Sequence, residues 1–116
     1  MWFTVALTKD AVSYGQYGTP YIDRDNPNTE TYFFEEDVAR KLDQDDFLNE
    51  MWTKFGAVFD WGDCDYFPAD LCSPLIAWLE DRLQKDHPEE VRDFYEKLLD
   101  FARKAVHADS GIDFYF

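Results

Sequence analysis

Stretches of two-residue periodicity occupy the ends of the chain, and helical periodicity fills most of the rest. Trp2 to Leu7 is a run of aromatic, β-branched and apolar residues halted by Thr8, Lys9 and Asp10, the pattern of a short buried strand. Gly111 to Phe116 predicts another, in which Ile112, Phe114 and Phe116 alternate with Asp113 and Tyr115, so that one face is buried. The two ends are expected to pair in one small sheet. Between Pro20 and Phe34 the residues predict a hairpin, with Tyr21 and Ile22 on one arm and Thr31 to Phe34 on the other. Asn26, Pro27 and Asn28 supply turn chemistry at its tip.

Phe34 to Leu42 and Asp45 to Phe59 carry apolar residues near helical spacing, and Phe47, Leu48, Met51, Trp52 and Phe55 form one stripe in the second segment. The next helix is expected to start with Ser73 as N-cap and Pro74 in its first position, with Leu75, Ile76, Leu79 and Leu83 on one face. The last helix opens at Pro88, with Glu89 and Glu90 where the helix dipole favours carboxylates. Val91, Phe94, Tyr95, Leu98, Ala102 and Ala105 then recur at steps of three and four before Gly111 breaks the pattern. The short link at His87 makes these two helices an antiparallel pair. The expected fold is α+β and helix-dominated: a single domain over residues 1–116, with a short antiparallel sheet packed on the helical pair.

Charge changes the picture. The chain holds 25 Asp and Glu against 11 Lys and Arg, a formal net charge of −14, well above the magnitude of roughly 2 to 8 that keeps a small domain soluble. Such a surplus repels nucleic acid and anionic membrane surfaces, since phosphate binding needs Lys and Arg. The acids are not spread evenly: residues 30–70 carry twelve against three bases. In the closing helices, by contrast, Asp81 with Lys85, Asp93 with Lys97 and Asp100 with Lys104 stand four apart as compensating pairs. Arg82, Arg92 and Arg103 are the candidates for neutralising the middle acids through tertiary contacts. No apolar run approaches the roughly 18 residues of a membrane span, and the N-terminal residues lack signal-peptide character, which places the chain in the cytoplasm as an expectation. Cys64 and Cys72 lack metal-site spacing and are expected as free thiols.

The segment from Asp60 to Phe67 interleaves Asp60, Asp63 and Asp65 with Trp61, Tyr66 and Phe67. Aromatic side chains give desolvated contact area and neighbouring carboxylates meet partner cations, so these residues form the first candidate contact loop. Trp61 and Phe67 serve equally well as core plugs. The stretch Ser13 to Tyr21, in which Tyr14, Tyr17 and Tyr21 stand among Gly, Ser and Thr, forms a second contact candidate, with a plain connector as the alternative. Glu35, Glu36, Asp43, Asp45 and Asp46 complete the acidic set. Neither Asp60 to Asp65 nor Asp23 to Asp25 completes a calcium-binding loop, and no nucleophile motif or phosphate-binding glycine loop accompanies His87 or His107, which read as helix-end groups. No cofactor, no metal and no enzymatic activity are expected.

Small size, the acidic stretches Glu35-Glu36-Asp37 and Asp43 to Asp46, and the Asp60 to Phe67 loop resemble bacterial immunity proteins of toxin–immunity systems, of the contact-dependent inhibition or colicin-nuclease type. The resemblance is one of class and covers about half the chain. It implies a basic partner, a toxin nuclease domain, captured stoichiometrically as carboxylates fill the cleft meant for substrate phosphates and Trp61, Tyr66 and Phe67 anchor the contact. A monomer in the complex is expected. A DNA-mimic inhibitor, a small metal-assisted enzyme and a homodimeric structural subunit are the competing readings.

Overall fold

The computed structural model describes residues 1–57 and 64–116, with the side chain of Cys64 outside the described part. The strands are β1 (Trp2–Ala6), β2 (Val12–Tyr14), β3 (Pro20–Ile22), β4 (Thr29–Phe33), β5 (Cys64–Pro68) and β6 (Gly111–Tyr115). The helices are α1 (Glu36–Gln44), α2 (Phe47–Phe55), α3 (Ala69–Arg82) and α4 (Glu89–Ala108), preceded by a 3-10 turn at Lys9–Ala11. The fold is therefore α+β. β4, β1, β6 and β5 form one antiparallel sheet in that order, with the two chain ends side by side at its centre, and β2 and β3 form a separate hairpin.

The helices cover one face of the sheet. Phe3, Val5, Ile112, Phe114 and Phe67 point into this layer and meet Phe94, Leu98, Phe101 and Ala105 of α4, Leu75 and Leu79 of α3, and Phe47 and Met51 of α2. Phe3 sits at the hub: its ring meets Phe94 and Phe101 edge-on at centroid distances of 5.2 Å, the geometry that sets one ring's positive edge on another's negative face. α3 and α4 pack against each other, with the Trp78 ring on Tyr95 and the Glu80 carboxylate 4.0 Å from the Arg103 guanidinium. His87 caps the end of α3 through a 2.7 Å hydrogen bond between its Nε2 and the Arg82 carbonyl.

Several elements differ from the sequence expectation, each for a physical reason. α3 begins at Ala69, not at Ser73, and holds Pro74 inside it. The Pro68 backbone is already extended and turns β5 straight into the helix, while the Ala69 amide donates to the Ser110 carbonyl at 2.9 Å. Proline forfeits one main-chain bond there, and burial of Cys72 and Leu75 on either side of it offsets the loss. The Pro20 to Phe34 hairpin does not form. Tyr21 pairs instead with Ser13, and Thr31 pairs with Thr4. The turn chemistry is real, with the Asp25 and Asn28 amides donating to the Asp23 and Asn26 side chains, but it joins strands of different sheets. α2 stops at Phe55 because Gly56, at φ 69°, lets its own amide and that of Ala57 close on the Trp52 and Met51 carbonyls. Phe59, the expected end of that helix, lies outside the described residues. α4 ends at Ala108, ahead of the expected breaker Gly111, with Asp109 in the left-handed region and the Ser110 amide bonded to the Ala105 carbonyl.

Gly111 marks the tightest approach in the sheet. A methyl group at this position would overlap the Tyr66 hydroxyl and the Phe67 carbonyl oxygen, so only glycine lets β6 lie this close to β5. Gly111→Ala is expected to lower stability by about 1–3 kcal/mol in denaturant unfolding. Gly15→Ala, whose nearest neighbour would be 3.7 Å away, is the matched control and should change stability little.

Candidate partner-binding face

The sheet face away from the helices carries the candidate site: among the described residues, the β2–β3 hairpin packs on part of this face. Alternation along the strands sets Phe33, Trp2 and Tyr115 side by side across β4, β1 and β6, and the next row toward the hairpin is Thr31, Thr4, Asp113 and Tyr66. The β2–β3 hairpin lies over that second row. Ala11, Val12 and Ile22 of this flap close with Ala6 and Tyr66 into a small second core. Asp113 is thus buried although its strand had been expected to show that face to water.

In the first row Phe33 is exposed, at 61%, while Trp2 and Tyr115 are half-buried. Trp2 stacks on Tyr115 at 4.8 Å and tilts against Phe33 at 6.1 Å. The Arg24 guanidinium lies 4.3 Å from the Trp2 ring centre, a cation–π contact. An aromatic strip with one cation laid on it therefore ends at an exposed ring.

Beside the strip, a cleft opens between the hairpin and the edge of β5 and β6. Its larger lobe, of about 530 Å³, is lined by Pro20, Tyr21, Asp65, Tyr66 and Asp113 among others, and a smaller lobe of about 230 Å³ adds Tyr14. The Ile22 amide donates to Asp113 Oδ2 at 3.0 Å, and the Tyr66 amide donates to Asp65 Oδ1 at 2.9 Å. Burial raises the Asp113 carboxyl to about 6, with Asp65 adding to the rise and the Ile22 amide and Tyr115 side chain opposing it. Burial likewise pushes the Tyr66 phenol up to about 12.

The two contact loops expected from the sequence therefore meet at this cleft, through Tyr14 on one side and Asp65 and Tyr66 on the other. Tyr17 is 90% exposed in the loop joining β2 to β3. Asp60, Trp61 and Asp63 lie outside the described residues. Phe67 is a correction: it is fully buried, packed edge-on against Phe114 at 5.2 Å, and serves the core instead of a partner. Tyr21 closes the second candidate stretch, whereas Trp2, Phe33 and Tyr115 of this face were not among the candidates read from the sequence. Their signal was in the alternation of β1 and β4, which leaves large rings opposite the core-facing Phe3 and Tyr32.

The acidic set divides in two. Asp45 belongs to an internal network, another correction. It accepts the Tyr95 hydroxyl at 2.5 Å and lies 3.7 Å from Arg82, which also pairs with Glu50 and stacks 4.7 Å over Trp78. Burial, reinforced by that carboxylate, keeps the Tyr95 phenol protonated far above its usual range. Lys104 neutralises Glu30 and Asp100, each at 2.9 Å. Glu35, Glu36, Asp43 and Asp46 are exposed, and among the described residues no Lys or Arg lies within 4 Å of them. The unbalanced charge thus brackets α1, whose first turn follows directly from Phe33 of the aromatic strip.

Among the described residues, no three of His, Cys, Asp and Glu gather closely enough to share a metal ion, and no helix is long and apolar enough to cross a membrane. Cys72 is a free, buried thiol that burial pushes up to about 12. The chain matches no family model, no curated protein and no solved structure.

Arg82→Met should cost about 2–4 kcal/mol in chemical denaturation, because it strands Asp45 and Glu50 without a cation. Arg103→Met, whose partner Glu80 is half exposed, should fall within about 0.5 kcal/mol of the parent. For Asp113, whose folded value near 6 exceeds the ordinary 3.8, the folded state holds the proton more tightly. Its contribution to stability is thus full at low pH and falls as pH rises from about 4 to about 6. Asp113→Asn removes that slope, and above pH 7 it should stabilise the protein by up to about 3 kcal/mol. Parallel stability–pH curves for the two proteins would contradict this.

Proposed function

We propose that this chain is a capture protein for a basic partner, and that it neutralises a toxin nuclease domain by covering the cationic cleft that would otherwise hold substrate phosphates. The observation that carries the reading is the strip of Phe33, Trp2 and Tyr115, exposed at its Phe33 end, which leads into the acids flanking α1 that have no Lys or Arg within 4 Å among the described residues. A large exposed ring backed by a stacked aromatic pair is the kind of feature that dominates interface energetics.

The two parts divide the work. The carboxylates of α1 and of the bend after it act at long range, raising the frequency of productive encounters with a positive surface. The aromatic strip acts at contact, where planar rings bury area at low entropic cost. A DNA mimic would use the carboxylates alone. Large rings beside the acids favour a protein surface with its own apolar patches.

The test is direct. The polypeptide encoded by the adjoining reading frame is expected to contain a basic domain that forms a one-to-one complex with this chain. Association should slow by about tenfold or more between 50 and 500 mM salt, as steering between opposite fields requires. Glu36→Lys with Asp46→Lys should slow association while leaving helix content unchanged. The absence of a complex, or a rate indifferent to both salt and the double substitution, would refute the proposal.

A further inference from the structure

The cleft beneath the hairpin has properties that the capture reading does not require. Asp113 is 2% exposed, and among the described residues no Lys or Arg lies within 4 Å of it. Its partners are the Ile22 amide and the Tyr115 side chain, and its charged neighbour is another acid, Asp65. A buried carboxylate next to a second carboxylate is costly, and the cost falls when a cation enters. The cavity in front of it is large, and Tyr21 and Tyr66 supply aromatic surface to the same space.

Resting on the capture reading, we propose that this cleft receives one arginine side chain of the basic partner. Arginine fits better than lysine for three reasons. A planar guanidinium stacks on tyrosine faces, where an ammonium acts only as a point charge. Its five N–H groups fan outward and can approach Asp113 from more than one side, which matters because Asp113 Oδ2 already accepts the Ile22 amide. Guanidinium is also more weakly hydrated and loses less on entering a half-enclosed cleft. The strip next door already displays the same chemistry, with Arg24 of this chain lying on Trp2.

The hairpin is the structural means of making this slot. Pro20 and Tyr21 form its outer wall, and Ile22 fastens it to the floor through Asp113 itself. The residue that would recognise the guanidinium is thus also the residue that holds the wall in place.

The probe is the capped tripeptide Ac-Gly-Arg-Gly-amide, titrated into the full chain labelled with 15N and followed by amide chemical shifts. Lysine and norleucine versions serve as the comparison arms. The arginine peptide is expected to give saturable shifts confined to residues 14–22, 65–68 and 111–115, and the norleucine peptide to give none. Asp113→Asn keeps an oxygen for the Ile22 amide but loses the charge, and Tyr21→Ala alters an exposed wall. Each should weaken binding by about fivefold or more. Shifts spread along α1 and α2, or affinity unchanged in both variants, would overturn the slot. Lysine binding as tightly as arginine would overturn the choice of guanidinium. The outcome is separable from the parent reading: a chain that captures its basic partner yet ignores the peptide loses only the slot. A chain that binds the peptide but captures no basic protein keeps the slot and loses the function.

Discussion

A sheet covered by helices on one side alone has a second side to dispose of, and the rest of this molecule follows from how that is done. α4 and its neighbours bury Phe3, Phe114 and Ile112 completely. The opposite side cannot all be left in water, because it carries Trp2, Ala6 and Tyr66 as well as threonines. The chain spends a short hairpin on half of it and fastens that flap with a main-chain amide on a buried carboxylate. On the other half Phe33 is exposed. An ionised group in a dry seam is a poor stabiliser, and a large ring in water is no better. Both are the kind of local inconsistency that sites of recognition tolerate and cores do not.

Electrostatics sorts the carboxylates in the same way. Arg82 and Lys104 each hold two acids against the helical layer, so that Asp45, Glu50, Glu30 and Asp100 belong to the scaffold. What remains around α1 is exposed and unbalanced, and α1 follows in the chain from the exposed Phe33 end of the aromatic row. α3 and α4, by contrast, carry compensating pairs such as Arg103 with Glu80.

The long elements were legible in the sequence because their signals are local. The spacing of Val91, Phe94 and Leu98 suffices to place α4, and the β-branched run after Trp2 suffices to place β1. The start of α3 was misread because Ser73-Pro74 is a strong local signal overridden by packing at Cys72 and Leu75. Strand partners were illegible for a related reason: Tyr21 and Thr31 look like two arms of one hairpin, and only the competition for β1 and β2 sends them apart. At the site, Tyr14, Asp65 and Tyr66 were found from composition, since aromatic residues among acids and glycines are visible in a row of letters. Asp113 was not, because its burial depends on a flap from ninety residues earlier. Asp45 looked identical to Asp43 and Asp46, and only the placement of Arg82 and Tyr95 distinguishes it.

The central claim is that recognition occurs on the hairpin side of the sheet and not on the helical layer. Amide hydrogen exchange of the chain, free and with the proposed basic partner, reads this most directly. The account predicts new protection at the β2–β3 flap, at β4 and at the start of α1, with α3 and the outer surface of α4 unchanged. Protection concentrated on α3 and α4, with the flap exchanging as before, would contradict it.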